Sequence, residues 1–134
     1  MTRKATRPRS LQASETSEHI AVADWLRAHR VIFIHCPNER VRRGPVGPWI
    51  GHLKKLERMG VAKGFPDFLI FDRPPELPQF VGATLELKVK GRKPGAAQDA
   101  WLSTLGDHGW IIAVANGAGA AIKVLEAWGY GNRR

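Results

Sequence analysis

Apolar positions change their period several times along this chain, and each change marks an element. Between Ser14 and His29 they recur at helical spacing, with Val22, Trp25, Leu26 and His29 on one stripe. Ser14 suits the N-cap of that helix, and Glu15 and Glu18 suit the positive end of its dipole. Val31 to Cys36 is a short apolar run, β-branched in part, and predicts a buried strand. A helix is expected over residues 49–59, with Trp49, Leu53 and Leu56 on one side and Gly60 as its stop. Phe68 to Phe71 predicts a second strand. Pro66, which has no N–H to give a ladder, fits the entrance to that strand.

After a proline-rich turn over residues 72–78, a third strand is expected over residues 80–90. Leu85, Leu87 and Val89 share one of its faces, and Thr84, Glu86 and Lys88 share the other. A helix over residues 96–105 follows, with Trp101, Leu102 and Leu105 as its stripe. Trp110 to Val114 predicts a fourth, buried strand, Asn116 to Gly119 a turn, and residues 120–128 a last helix. Four strands interleaved with helices predict an α/β sandwich, a mixed four-stranded sheet with helices on both faces. Residues 1–13 carry Arg3, Lys4, Arg7 and Arg9 with no apolar repeat and read as a disordered basic arm. Residues 14–130 read as one domain.

Several polar groups interrupt this pattern where the core belongs. Glu18 falls on the stripe of the first helix, four residues before Val22 and seven before Trp25. Gln98 falls on the stripe of the helix that carries Trp101, Leu102 and Leu105. Asp67 sits at the mouth of an apolar strand, and Glu86 and Lys88 project together from the next one. Each has a plainer explanation: a carboxylate near a helix start, or a solvated strand face. Together they are harder to dismiss, because burying charges without partners costs several kcal/mol each. Carboxylates from adjoining strands repel and raise each other's pKa unless a cation lies between them. A hard divalent ion with oxygen ligands, Mg²⁺ or Mn²⁺, answers that need.

Charge sharpens the picture. Lysine and arginine outnumber acids by 21 to 12, a formal net charge of +9 over 134 residues. That balance fits a polyanionic partner, most simply nucleic acid. Two Gly/Pro-rich loops concentrate the charge, one with Arg40, Arg42 and Arg43, the other with Lys90, Arg92 and Lys93. Either could clasp a DNA backbone. Cys36 is the single cysteine, so no internal disulfide forms, which suits a reducing cytoplasm. The five histidines show no pairing at zinc-ligand spacing. No apolar run approaches the roughly 18 residues of a membrane span, and no apolar segment follows the basic start as in a secretory signal.

Pro66-Asp67, then Glu86-Leu87-Lys88, then Gln98 resembles the PD-(D/E)XK nuclease superfamily, and more narrowly the VRR-NUC family. The family's other marks are similar to Glu18 on an early helix, Asn38-Glu39 after the first strand, and Gly64-Phe65-Pro66-Asp67. The resemblance implies a restriction-endonuclease-like core and a Mg²⁺- or Mn²⁺-dependent endodeoxyribonuclease. It assigns Asp67, Glu86 and the backbone carbonyl of Leu87 to the metal, with Glu18 completing the shell directly or through water. Lys88 would place the attacking water or offset charge at the scissile phosphate, and Gln98 would orient Lys88 or the water. The small stand-alone members, from phages and bacteria, resemble Holliday-junction resolvases. That implies a homodimer acting on branched DNA, such as a four-way junction, in the cytoplasm of a bacterial or phage-infected cell. Flap, nick or general duplex cleavage is the alternative, as is a basic DNA-binding module without catalysis.

Overall fold

The computed structural model describes residues 10–36, 54–88 and 92–132. Along these run α1 (Ser10–Ala28), β1 (Phe33–His35), β2 (Phe68–Ile70), β3 (Gly82–Lys88), α2 (Ala96–Asp107), β4 (Trp110–Asn116) and α3 (Ala118–Ala127), closed by a 3-10 turn at Tyr130–Asn132. Residues 54–58, the end of the helix expected over 49–59, are helical. The expected roles of Asn38, Glu39, Arg40, Arg42, Arg43 and Lys90 fall outside the described residues, as does the arm up to residue 9.

The sheet is mixed, in the order β1-β2-β3-β4. β1 and β3 each run antiparallel to β2, and β3 runs parallel to β4. The parallel pair is joined through α2, as parallel neighbours require a crossover. The period-two pattern of β3 decides which residues go where. Ala83, Leu85 and Leu87 face the core with Phe68 and Ile70, where Val22 and Leu26 of α1 and Ala121 and Leu125 of α3 cover them. Burial of each large apolar side chain there contributes roughly 1.5–3 kcal/mol. The opposite face carries Thr84, Glu86 and Lys88, and α2 lies over its Glu86 end through Gln98.

Some boundaries differ from the sequence pattern. α1 begins at Ser10, so Ser14 lies within the helix instead of capping it. It ends without glycine: Arg30 takes a φ of 56°, and the Val31 N–H reaches back to the Leu26 carbonyl at 3.0 Å. That six-to-one bond, with buried Val31 beside it, closes the helix as a glycine-type cap does. β1 is an edge strand and not a buried one, with Ile32 and Ile34 exposed. β4 also shows Ile112 and Val114 to solvent.

Candidate active site

Sheet register brings the two acids together. Phe68 pairs with Leu85 across the antiparallel β2–β3 ladder, so one step further Asp67 stands opposite Glu86 on the α2 face. Pro66 precedes Asp67 and is fully buried at the strand entrance. Both acids are buried, Asp67 at 7% and Glu86 at 2% exposure. Each carboxylate is held by a backbone N–H of the other's strand segment. The Asp67 N–H donates to Glu86 Oε2 at 3.0 Å, and the Leu87 N–H donates to Asp67 Oδ2 at 2.9 Å.

Lys88 and Gln98 complete the Glu86 side. Lys88 Nζ lies 3.2 Å from Glu86 Oε1, with both side chains almost wholly buried. Gln98 Nε2 donates to the same Oε1 at 2.8 Å, and Gln98 Oε1 accepts from Lys88 Nζ at 2.6 Å. That oxygen also accepts the Gly95 N–H at 3.1 Å, one of the unpaired donors at the start of α2. One amide therefore fixes the helix start, the ammonium and the carboxylate together. The plain view of Glu86 and Lys88 as a solvated face does not hold.

Gly64 explains how α2 comes so close. Its φ is +82°, and a Cβ there would stand 2.8 Å from the Ala97 backbone and 2.9 Å from the Gln98 nitrogen. Only glycine lets the segment leading to Asp67 lie against the turn that carries Gln98.

On the Asp67 side stands His19, which the sequence pattern did not single out. Its Nε2 is 3.4 Å from Asp67 Oδ2, and its Nδ1 is 2.7 Å from the Glu15 carbonyl. The ring stacks on Phe68 at 5.9 Å and meets His35 edge-on at 5.1 Å. A signal was available: His19 lies three, four and seven residues before the buried Val22, Ala23 and Leu26. Glu18, one position round, is half-buried and turns elsewhere. Its Oε2 accepts the N–H of Ala118, the first residue of α3, beside Gly117. Arg92 and Lys93 are exposed just ahead of Gly95 and α2.

Electrostatics follow the geometry. Burial pushes the Glu86 carboxyl above its usual range, the Asp67 charge pushes it further, and Lys88 opposes both. The bond to Asp67 holds His19 above its ordinary value, against the effect of burial. His35 is lowered by its own burial and by His19. Cys36, whose N–H donates to the Asp67 carbonyl at 2.7 Å, is raised by burial and then by the Asp67 charge.

A divalent cation fits this donor set. Asp67 Oδ1 has no partner among the described residues, while its twin is held by Leu87. Among the described residues no three His, Cys, Asp or Glu side chains are placed to hold a metal ion between them. One or two carboxylates with several waters is, however, the regime in which Mg²⁺ is bound.

A sequence model of the VRR-NUC domain matches residues 13–119. The chain belongs to the VRR-NUC family. A solved structure described as a VRR_NUC domain protein superposes with a TM-score of 0.64, at 22% identity, covering 86% of this chain and 87% of that one. At that identity the likeness concerns the fold, and it agrees with the mixed α/β sheet described above. No curated protein matches the chain. The VRR-NUC family is one of nucleases, so nuclease activity and a DNA substrate follow for this chain at that level. Among the described residues no helix is long and apolar enough to cross a membrane.

Proposed function

We propose that the chain is a metal-dependent DNA endonuclease, with Asp67 and Glu86 holding the cation and Lys88 and Gln98 serving the reaction around it. The observation that carries this is the buried pairing of Asp67 with Glu86, joined on one flank by Lys88 and Gln98. Holding phosphates needs cations alone, so a pure DNA-binding module gives no use to two buried acids. Asp67 Oδ1, without a partner among the described residues, and the Leu87 carbonyl are the protein oxygens we assign to the ion, with Glu86 beside them. Glu18 reaches the shell through water, if its bond to Ala118 is kept.

A bound Mg²⁺ or Mn²⁺ supplies a water of lowered pKa and neutralises charge that develops on the phosphorus oxygens. Lys88 carries a point charge on a flexible stem, suited to a phosphate oxygen or the attacking water. Gln98 Oε1 keeps that ammonium within the site, and its Nε2 keeps Glu86 facing inward. Arg92 and Lys93 hold the flanking phosphates, as do Lys90, Arg40, Arg42 and Arg43. The substrate we propose is branched DNA cut by a homodimer, since a two-fold assembly with two sites matches a four-way junction.

Purified protein incubated with linear, nicked, flapped and four-way-junction DNA, in Mg²⁺, Mn²⁺, Ca²⁺ or EDTA, tests the reading. Cleavage in Mg²⁺ or Mn²⁺, absent in EDTA and strongest on the junction, is expected. Cleavage of all duplexes alike would replace the junction with general duplex DNA, and binding without cleavage in any metal would remove the catalytic reading.

A further inference from the structure

We propose that the groove beside the acidic site takes one unpaired nucleobase of the DNA, stacked against Trp101. This rests on the nuclease reading and deepens it, because it names what the chain selects in its substrate: a base standing outside the duplex stack. The groove has a volume of about 570 Å³, and Ile34, Cys36, Val61, Phe65 and Trp101 are among its lining. Small-molecule sites occupy roughly 300–1,000 Å³, so a base and its sugar fit. Phe65 meets Trp101 edge-on, at 5.2 Å and 67°. Apolar and aromatic walls suit the flat π-face of a base, on which stacking acts, and do not suit a phosphate.

The groove shares its walls with the acidic site. Phe65 lies two residues before Asp67, and Trp101 lies one turn of α2 beyond Gln98. Cys36, at the end of β1, donates its N–H to the Asp67 carbonyl at 2.7 Å. The close approach of Gly64 to Ala97 keeps the Phe65 and Trp101 walls together. A base seated in the groove therefore holds its own strand beside Asp67 and Glu86.

Charge decides between DNA and a protein occupant. Residues 54–65, which supply one wall, carry Lys54, Lys55, Arg58 and Lys63, all exposed, against a single acid, Glu57. That rim attracts a polyanion and repels a second copy of a chain with net charge +9. A continuous duplex shows base edges and no base face. Turning a base out of it costs pairing and stacking, and the cost is least where the base is already unpaired. A flap or branch point supplies such a base. The lining has few polar groups to read base edges, so the identity of the base should matter little.

The test measures binding of the full chain, in Ca²⁺, to a flapped duplex in which the unpaired nucleotides nearest the branch are replaced one at a time by an abasic residue. With wild type, one position should weaken binding about 5- to 100-fold, the worth of one stacked base, and no mutation is needed to see it. Trp101→Leu keeps an apolar side chain and removes the ring. It should bind the intact flap more weakly by a similar factor, and its abasic penalty should vanish, while Trp101→Phe should keep most of the penalty. An abasic scan without effect, or a penalty undiminished in Trp101→Leu, would overturn the proposal and leave the nuclease reading standing. So would a Trp101→Leu chain that loses self-association in sedimentation with its DNA affinity intact, because a second copy would then fill the groove. A chain that neither binds nor cuts any DNA would overturn the nuclease reading itself.

Discussion

The Asp67 and Glu86 carboxylates each hold a backbone N–H of the other's strand segment. The Asp67 N–H donates to a Glu86 oxygen, and the N–H of Leu87, directly after Glu86, donates to an Asp67 oxygen. The two carboxylates are thus locked at one rung of the β2–β3 ladder, where their repulsion cannot relax by rotation. That fixed repulsion is what a cation relieves, and it gives the site a measurable signature before any DNA is added.

The first expectation concerns Glu86. Its carboxyl is raised by burial and by the Asp67 charge. Asp67→Asn removes that charge, and its amide oxygen can still accept the Leu87 N–H. The Glu86 pKa in the metal-free protein should fall toward 4.5, its ordinary value. Carbon NMR of the labelled carboxyl reads this directly, and an unmoved pKa would show that the two acids do not sense each other.

Stability should depend on pH in a defined direction. Glu86 and His19 both have folded pKa values above their ordinary values of 4.5 and 6.5. The native state binds more protons in each window, so stability is lost as pH rises from 4.5 through the folded value of Glu86, and from 6.5 through that of His19. His35 is lowered and acts oppositely just below 6.5, where stability is lost as pH falls. Urea melts in EDTA should therefore show stability declining above pH 6.5. His19→Ala should flatten that decline, and an equal slope in the variant would refute the assignment.

Lys88→Met keeps the bulk and removes the ammonium beside Glu86. A buried charge left without its partner typically costs about 3–5 kcal/mol. Denaturation at neutral pH should show a loss of that order, reduced at low pH where Glu86 is protonated. Turnover should fall more than DNA affinity, as measured by single-turnover cleavage against binding in Ca²⁺.

Gly64→Ala probes the approach of α2. The added Cβ meets the Ala97 backbone at 2.8 Å, at a φ of +82°. The left-handed conformation alone costs about 1–2 kcal/mol. The thermal midpoint should drop, and cleavage should drop further than the midpoint explains, because the turn carrying Gln98 is displaced. A variant as active and stable as wild type would mean that this contact does not position Gln98.

Much of this site was legible in the sequence because strands write their faces at period two. The positions of Glu86, Lys88 and Gln98 follow from Leu85, Leu87 and the Trp101–Leu102–Leu105 stripe, and Pro66 marks where Asp67 enters. His19 was not legible for a geometric reason. The stripe read as Val22, Trp25, Leu26 and His29 is centred one position round from the true one, which runs through Val22, Ala23 and Leu26. That offset favoured Glu18 over His19. The end of α1 was read within a residue, at His29 against Ala28, although Arg30 does there what glycine usually does, whereas its start lies four residues before the Ser14 expected to cap it. The exposure of β1 depends on its place at the sheet edge, a long-range fact that an apolar hexapeptide does not contain.

DNA affinity should carry the mark of a +9 chain. The logarithm of the binding constant should fall with the logarithm of salt, by about 0.9 per phosphate neutralised. Arg92→Ala should weaken binding to all sequences alike and lower the slope by about one. A flat salt response would remove phosphate contact from the account.

The most direct check is single-turnover cleavage of end-labelled junction DNA by wild type and by Asp67→Asn, at saturating and equal DNA occupancy in Mn²⁺. Wild type should cut, and Asp67→Asn should bind the same DNA and leave it intact, a loss of at least about a thousandfold, equivalent to about 4 kcal/mol of transition-state stabilisation. Cleavage by Asp67→Asn at a rate near that of wild type would contradict the claim that the paired carboxylates of β2 and β3 are the centre of the reaction.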